Sequence, residues 1–272
     1  MIADQHLHLE RGPYTPETYP VSWLERYLET ARSHGVERLG VVEHGYRFLE
    51  AKGLLPGAWA EGRCRFHLEP YLAFVERVKA LGLPVSFGIE MDYVPGAEAG
   101  IERFLARYPW DFVLGSVHFV DGVGVDLETD DALRRRMGTQ KLWQRYFSLS
   151  RDAATSGLFD VLTHPDLPKI FGVRSPFPLD EEFRLTAETL ARAGMAIECN
   201  TAGLRKKVAE IYPVPAYLAA ARKAGVPVSL GSDAHEPENV GYGFREGVEL
   251  LRSCGYGEAV HFVGRRRVAS TI

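Results

Sequence analysis

Residues 226–235 read Val-Pro-Val-Ser-Leu-Gly-Ser-Asp-Ala-His. This short apolar run favours a β-strand and stops at Gly231. Asp233 and His235 follow at a spacing that puts two side chains on one side of an extended backbone. The stretch therefore predicts a strand that ends in ligand residues.

Six other apolar runs along the chain end in polar residues in a comparable way. They span residues 2–8, 39–44, 85–90, 112–118, 161–164 and 195–200. The polar residues at their ends are His6 and His8, Glu43 and His44, Glu90, His118, His164, and Glu198 with Asn200. Seven predicted strand ends therefore present polar groups.

The predicted strands alternate with predicted helices. The helical segments are 21–34, 70–81, 101–108, 140–156, 181–193, 215–224 and 239–253. Segments 45–65 and 121–138 are predicted loops, and the basic run Arg265-Arg266-Arg267 in the tail is predicted to be a solvated end rather than a binding patch. Short connections before the strands and longer loops after them are typical of a parallel barrel or wound sheet with its site at the carboxyl ends of the strands. Seven βα units favour an α/β fold, an incomplete and distorted barrel, in a single domain of residues 1–272.

Length and composition narrow the class of protein. A chain of 272 residues with 46% hydrophobic content can bury a sizeable core. Its net charge of −4 gives no basic excess, which argues against binding a long nucleic acid.

We expect no membrane span and a cytoplasmic location, because no leader pattern or long apolar run is visible. The three cysteines lack a Cys-x-x-Cys spacing, so we expect free thiols.

The strand-end histidines and carboxylates predict a metal site. Imidazole together with carboxylate is a ligand set for zinc, manganese or iron. The candidates are His6, His8, His44, His118, His164 and His235 with Glu43, Glu90 and Asp233. They exceed what one ion can use, so we expect two or three divalent ions that share a bridging carboxylate. Glu90 is the expected bridge.

These motifs, in this order, resemble the polymerase and histidinol phosphatase (PHP) superfamily, and within it the histidinol-phosphate phosphatases. The resemblance rests on His6-Leu7-His8, Glu43-His44, Glu90, Ser116-Val117-His118, Thr163-His164-Pro165 and Ser232-Asp233-Ala234-His235. It implies a seven-stranded TIM-like (β/α)7 barrel, the PHP fold, with a trinuclear site. The implied ligands are His6, His8, Glu90 and Asp233 for one ion, Glu90, His118 and His164 for a second, and His44 and His235 for a third.

The sequence departs from that pattern at one ligand position. Many members have a further histidine six residues after the second His of the first motif, where this chain has Tyr14. Glu17, in the same loop, could supply the missing ligand, or the third ion could be weakly held. Glu43 could lie behind the ligands rather than among them.

The resemblance also implies an activity, the hydrolysis of L-histidinol phosphate in histidine biosynthesis. Candidate phosphate-binding cations are Lys169, Arg174, Arg205 and Lys206. Besides the bridging Glu90, the catalytic candidates are Asp233 and His235, either of which could protonate the leaving alkoxide, as could a metal-bound water. Alternatives are another small phosphate ester or a nucleotide as substrate, a nuclease, and a non-catalytic metal-binding module. The oligomeric state stays open, including a homo-oligomer.

Overall fold

Parallel strands build the centre of this computed structural model, which describes residues 1–10, 12 and 19–272. The strands are β1 (Ala3–Leu7), β2 (Arg38–His44), β3 (Val85–Asp92), β4 (Phe112–Ser116), β5 (Phe119–Val120), β6 (Val123–Gly124), β7 (Val161–Leu162), β8 (Ala196–Asn200), β9 (Val228–Gly231), β10 (Glu258–Val263) and β11 (Arg266–Thr271). Seven of them form one parallel sheet in the order β1-β2-β3-β4-β7-β8-β9. The predicted α/β class and the distorted seven-stranded barrel are confirmed.

Helices fill most connections between the parallel strands. They are α1 (Val21–Ser33), α2 (Gly57–Arg63), α3 (Leu68–Ala80), α4 (Glu98–Leu105), α5 (Asp131–Met137), α6 (Thr139–Thr155), α7 (Asp180–Ala193), α8 (Pro215–Lys223) and α9 (Phe244–Ser253). The apolar faces of the helices pack against one side of the strands and form one large core, to which Leu39 and Val41 of β2 belong. Val42, the next residue of β2, belongs to a second and separate apolar cluster. Successive residues of a strand thus face opposite sides of the sheet. No helix of the described residues is both long and apolar enough to cross a bilayer.

The sheet closes between its first and last strands next to the ligand residues. The backbone N–H of Asp233 donates to the carbonyl of His6 over 2.7 Å, and the N–H of His8 donates to the carbonyl of Ala234 over 2.7 Å. A parallel bridge between Leu7 and Ala234 lies in the same place. The first and last ligand segments of the chain are therefore joined by backbone hydrogen bonds.

The basic run Arg265-Arg266-Arg267 is exposed, as predicted, but it belongs to a folded hairpin rather than to an open tail. β10 and β11 form an antiparallel hairpin. Val260 and Phe262 are buried in one cluster with Phe112, Leu114 and other strand residues from the second cluster. Val260 and Phe262 are apolar residues two positions apart, and this alternation predicts a half-buried strand. The hairpin fills one end of the barrel interior.

The two predicted loops also contain regular elements. Segment 45–65 includes two short 3-10 turns and α2, and segment 121–138 includes β6 and α5. These helices have seven residues each, which is too short for an apolar repeat to stand out. Both segments nevertheless lie over the carboxyl ends of the strands, because residues from each line the cavity described below.

Candidate functional site

Eight of the predicted ligand residues meet at the carboxyl ends of the strands. They form three groups whose possible ligand atoms lie within 4.8 Å of one another: His6, His8 and Glu90; Glu90, His118 and His164; and His8, His44 and His235. The eighth, Asp233, is close to the first group. Each lies in the carboxyl-terminal part of a strand of the sheet or shortly after it, so the parallel topology brings them together from distant parts of the sequence.

The first group combines two imidazoles and two carboxylates. The Nε2 atoms of His6 and His8 are 3.1 Å apart, and each lies 3.4 Å from Oε2 of Glu90. Oδ1 of Asp233 is 3.7 Å from Nε2 of His6 and 3.6 Å from Nε2 of His8. Two nitrogens and two oxygens therefore converge, the donor set and number of a four-coordinate transition-metal site.

Glu90 also belongs to the second group through its other oxygen. Its Oε1 atom lies 3.2 Å from Nε2 of His164 and 3.6 Å from Nε2 of His118. Its Oε2 atom is buried and lies 2.8 Å from Nδ1 of His44, but the geometry of this contact is not that of a hydrogen bond, and Oε2 has no other hydrogen-bond partner among the described residues. A buried carboxylate oxygen without such a partner is costly unless a cation compensates it. The arrangement therefore fits a carboxylate that bridges two metal ions.

The third group is made of stacked histidines. The ring of His8 lies 4.1 Å from that of His44 and 4.4 Å from that of His235, measured between centroids. Oε1 of Glu10 is 3.5 Å from Nε2 of His235. Glu10 was not among the predicted ligands, yet the alternation of His6 and His8 extends to it, so the period-two spacing could have found it.

Carboxylates behind the ligands fix their orientation. Glu198 lies 2.7 Å from Nδ1 of His6 and accepts a hydrogen bond of 2.9 Å from the backbone N–H of His164. Asp92 lies 3.0 Å from Nδ1 of His118. Such partners leave the opposite ring nitrogen, Nε2, available to a metal. Both carboxylates stand at strand ends, but the sequence alone did not separate this supporting role from direct ligation.

Gly231 is required by this arrangement. A Cβ atom at this position would collide with Oε1 of Glu198 and would lie 2.7 Å from Cβ of His6. The absence of a side chain at the end of β9 thus lets the carboxylate reach the imidazole.

Two ligand residues adopt left-handed backbone conformations. φ is +26° at His164 and +51° at Asp233. Such values are uncommon for residues other than glycine and are concentrated at functional sites. At both positions the chain leaves its strand, and the turn keeps the side chain at the barrel opening.

The electrostatics of the cluster keep its carboxylates ionised. Burial alone would raise the pKa of Glu90, but the surrounding imidazoles, above all His44 and His6, lower that pKa well below its usual range. Burial and the neighbouring imidazoles of His44 and His235 lower the pKa of His8 well below its usual value. Burial would lower the pKa of His6, but the carboxylates of Glu198, Asp233 and Glu90 raise it well above its usual value. A metal ion that binds this imidazole would therefore displace a proton.

Glu43, one of the two less certain ligands predicted from the sequence, is not in the groups. Glu43 precedes His44 on β2, so its side chain lies on the opposite face of the sheet, where it accepts a hydrogen bond of 3.0 Å from the backbone N–H of Leu9. Burial raises the pKa of Glu43 to about 7. Glu17 and Tyr14 lie outside the described residues.

A cavity of about 200 Å³ lies over the cluster. Its lining includes the ligands Glu90, His118, His164, Asp233 and His235, the aromatic residues Tyr46 and Trp59, and the cations Arg63 and Lys206. Lys206 was a predicted phosphate-binding residue. Arg63, at the end of α2, was missed, because nothing in a Gly-rich segment indicates that a short helix places it over the site.

The other three predicted cations do not line this cavity. Lys169 is buried and forms a 2.9 Å ion pair with Asp166. Arg174 is exposed and pairs with Glu210. The guanidinium of Arg205 donates from Nη2 to the carbonyls of Ser232 and Asp233 over 2.7 and 3.1 Å. Lys169 and Arg174 thus lie in structural ion pairs, whereas Arg205 holds the segment that carries Asp233.

Comparisons with known proteins identify the family of this chain and several relatives. The PHP domain family model matches residues 21–202. The chain is 34% identical to the "Probable histidinol-phosphatase" of Deinococcus radiodurans, with 97% of this chain and 98% of that protein covered. It is 27% identical to the histidinol-phosphatase of Bacillus subtilis, covering 90% and 98%.

A solved structure has the same fold. The histidinol phosphate phosphatase of Lactococcus lactis, in complex with zinc, L-histidinol and phosphate, superimposes with a TM-score of 0.77 at 20% identity over 98% of both chains. The solved structure shows the fold of this chain, whereas the matched family model and the near full-length relatives also show its family. Two of its near full-length relatives are named as a probable histidinol-phosphatase and a histidinol-phosphatase, and the chain itself belongs to the PHP domain family.

Proposed function

We propose that this protein is a metal-dependent phosphomonoesterase that hydrolyses L-histidinol phosphate to L-histidinol and phosphate. The observation that carries the proposal is the set of three ligand groups beneath one cavity, joined by the two oxygens of Glu90. The names of the near full-length relatives support the choice of substrate.

The proposed residue roles follow from the positions of the side chains. His6, His8, Glu90 and Asp233 would hold one ion, Glu90, His118 and His164 a second, and His44 and His235 a third, with Zn, Mn or Fe as the candidates. Bound ions of this kind supply a nucleophile by lowering the pKa of water from about 15.7 towards ~7. Glu198 and Asp92 would keep His6 and His118 oriented for this task.

The cavity side chains have roles of their own in the proposal. Lys206 and Arg63 would attract the phosphoryl group and offset charge that accumulates on its oxygens. Asp233 and His235 have the most exposed side chains among the ligands, at 19% and 25%. They therefore lie closest to where the leaving alkoxide would take its proton.

We also propose that residues 1–272 act as one domain, since the C-terminal hairpin completes the barrel interior.

Phosphate release from L-histidinol phosphate tests the function. The protein would be depleted of metal, assayed, and assayed again after addition of Zn, Mn or ferrous iron. We expect activity only with metal, and a higher kcat/KM on histidinol phosphate than on a panel of other phosphate esters and nucleotides at equal concentration. Preference for another ester would keep the phosphatase chemistry and replace the substrate. No turnover on any ester would contradict the proposal.

A further inference from the structure

One carboxylate in the cavity wall has no role in the metal site. Asp126 lines the cavity together with three other carboxylates. Glu90 and Asp233 face the histidines of the first group, and Glu10 faces His235. For Asp126, the described part of the chain offers no ion pair or side-chain hydrogen bond. It is a half-buried negative charge beside the substrate space, and its electrostatic field reaches the imidazole of His118.

The backbone holds Asp126 in a fixed position. The N–H of Val125 donates to the carbonyl of His118 over 2.8 Å, which ties the residue before Asp126 to a ligand of the second group. On the other side, the guanidinium of Arg134 donates to the carbonyl of Leu127. Both neighbours of Asp126 are thus held, so the carboxylate stays at the cavity wall in the absence of substrate. A preformed position of this kind lowers the entropy lost on binding.

The proposed substrate carries a charge that fits this residue. In L-histidinol phosphate, the carbon next to the ester-bearing CH₂ group bears an ammonium. When the phosphoryl group lies at the metal cluster, this ammonium lies only a few bonds from it, inside the same small cavity. The two cavity cations, Arg63 and Lys206, cannot accept its hydrogen bonds.

We infer that Asp126 binds the ammonium group of the substrate and selects phosphate esters that have an amine next to the ester-bearing carbon. This inference rests on the proposed function and adds a specificity residue to it. In the proposed site, metal ions would neutralise the charge of Glu90 and Asp233. Asp126 is in none of the ligand groups, so its negative charge is available to an ammonium ion. Charge-assisted hydrogen bonds are the stronger class, and they are shielded from water in a cavity.

The experiment compares two substrates that differ only in the amine. These are L-histidinol phosphate and 3-(imidazol-4-yl)propyl phosphate, assayed with the unsubstituted protein, Asp126→Asn and the control Asp121→Asn. Asp121 lies in the same hairpin, is exposed, and pairs with Arg145 outside the cavity. The control makes the same chemical change at a distance from the substrate.

We expect Asp126→Asn to raise KM for histidinol phosphate by tenfold or more, which corresponds to about 1.4 kcal/mol. We expect kcat within about threefold of the parent, unchanged kinetics on the amine-free ester, and unchanged metal content. Asp121→Asn should match the parent on both substrates.

The two hypotheses fail in different ways. Equal loss of activity on both esters, or loss of metal, would mean that Asp126 acts through His118, and it would overturn the inference alone. Unchanged kinetics of Asp126→Asn on histidinol phosphate would also overturn it. If the unsubstituted protein releases no phosphate from histidinol phosphate, the proposed function fails and the inference fails with it.

Discussion

Oε2 of Glu90 lies 2.8 Å from Nδ1 of His44, so the carboxylate at the end of β3 contacts the last residue of the neighbouring strand β2. The same carboxylate is within 3.6 Å of four further imidazoles. Glu90 thus contacts at least one histidine of each of the three groups. Its loss should therefore affect more than one ion.

Glu90→Gln should abolish turnover and remove more than one equivalent of metal. The amide keeps the shape of the side chain but loses the negative charge that two ions would share. Elemental analysis of the purified variant, with kinetics on histidinol phosphate, measures both effects. Full metal content in this variant would contradict the bridging role.

His235→Ala should lower activity with the loss of about one ion. His235 belongs to the third group alone, and Glu10 is its neighbour on the side away from Glu90. We expect Glu10→Gln to weaken the same ion, measured as a higher metal concentration at half-saturation. Loss of all metal in His235→Ala would mean that the groups are not separate sites.

Arg205→Ala should reduce both activity and metal content. Its guanidinium donates to the carbonyls of Ser232 and Asp233, so its removal frees the segment that positions a ligand. We expect a loss of about 10²-fold in kcat/KM, the scale of one lost stabilising donor. Arg205→Lys should retain part of the activity, because an ammonium can keep one of the two hydrogen bonds.

The alternative for Arg205 gives a different pattern. If the side chain binds phosphate directly, Arg205→Ala should keep its full metal content and show the same kinetic loss. Metal analysis in parallel with the kinetics therefore distinguishes support of the Asp233 segment from contact with the substrate.

Lys169→Met should lower the stability of the protein, whereas Lys206→Met should weaken substrate binding. Lys169 and Asp166 are each 1% exposed, so the first substitution leaves a buried carboxylate without its cation. We expect it to lower the free energy of unfolding by about 3–5 kcal/mol in urea titrations. Lys206→Met, at an exposed lysine of the cavity wall, should leave stability unchanged and raise KM. Unchanged stability in Lys169→Met would contradict the structural role.

The ligands could be predicted because strand ends and period-two spacing fix their positions. The carboxyl ends of parallel strands meet, so His6, Glu90 and His164 had to lie near one another once the strands were recognised. The same period shows why Glu43 lies apart from the three groups: a residue next to His44 on a strand faces the other side of the sheet.

The side chains above the cluster could not be predicted in this way. Arg63 and Asp126 come from irregular segments, where no repeat relates sequence position to direction. Lys169 shows a second limit. A lysine near a strand end looks the same in sequence whether it contacts a ligand or, as here, pairs with a buried aspartate three residues before it.

On the ribosome, this chain cannot complete its core until its last residues have emerged. β1 is made first, yet Leu7 pairs with Ala234, and the apolar cluster around Phe112 and Leu114 is completed by Phe262. A nascent chain that has already extended past β8 therefore still exposes the edge of β1 and the apolar interior of its strands. Contacts between distant parts of a chain form slowly and leave surfaces open to aggregation.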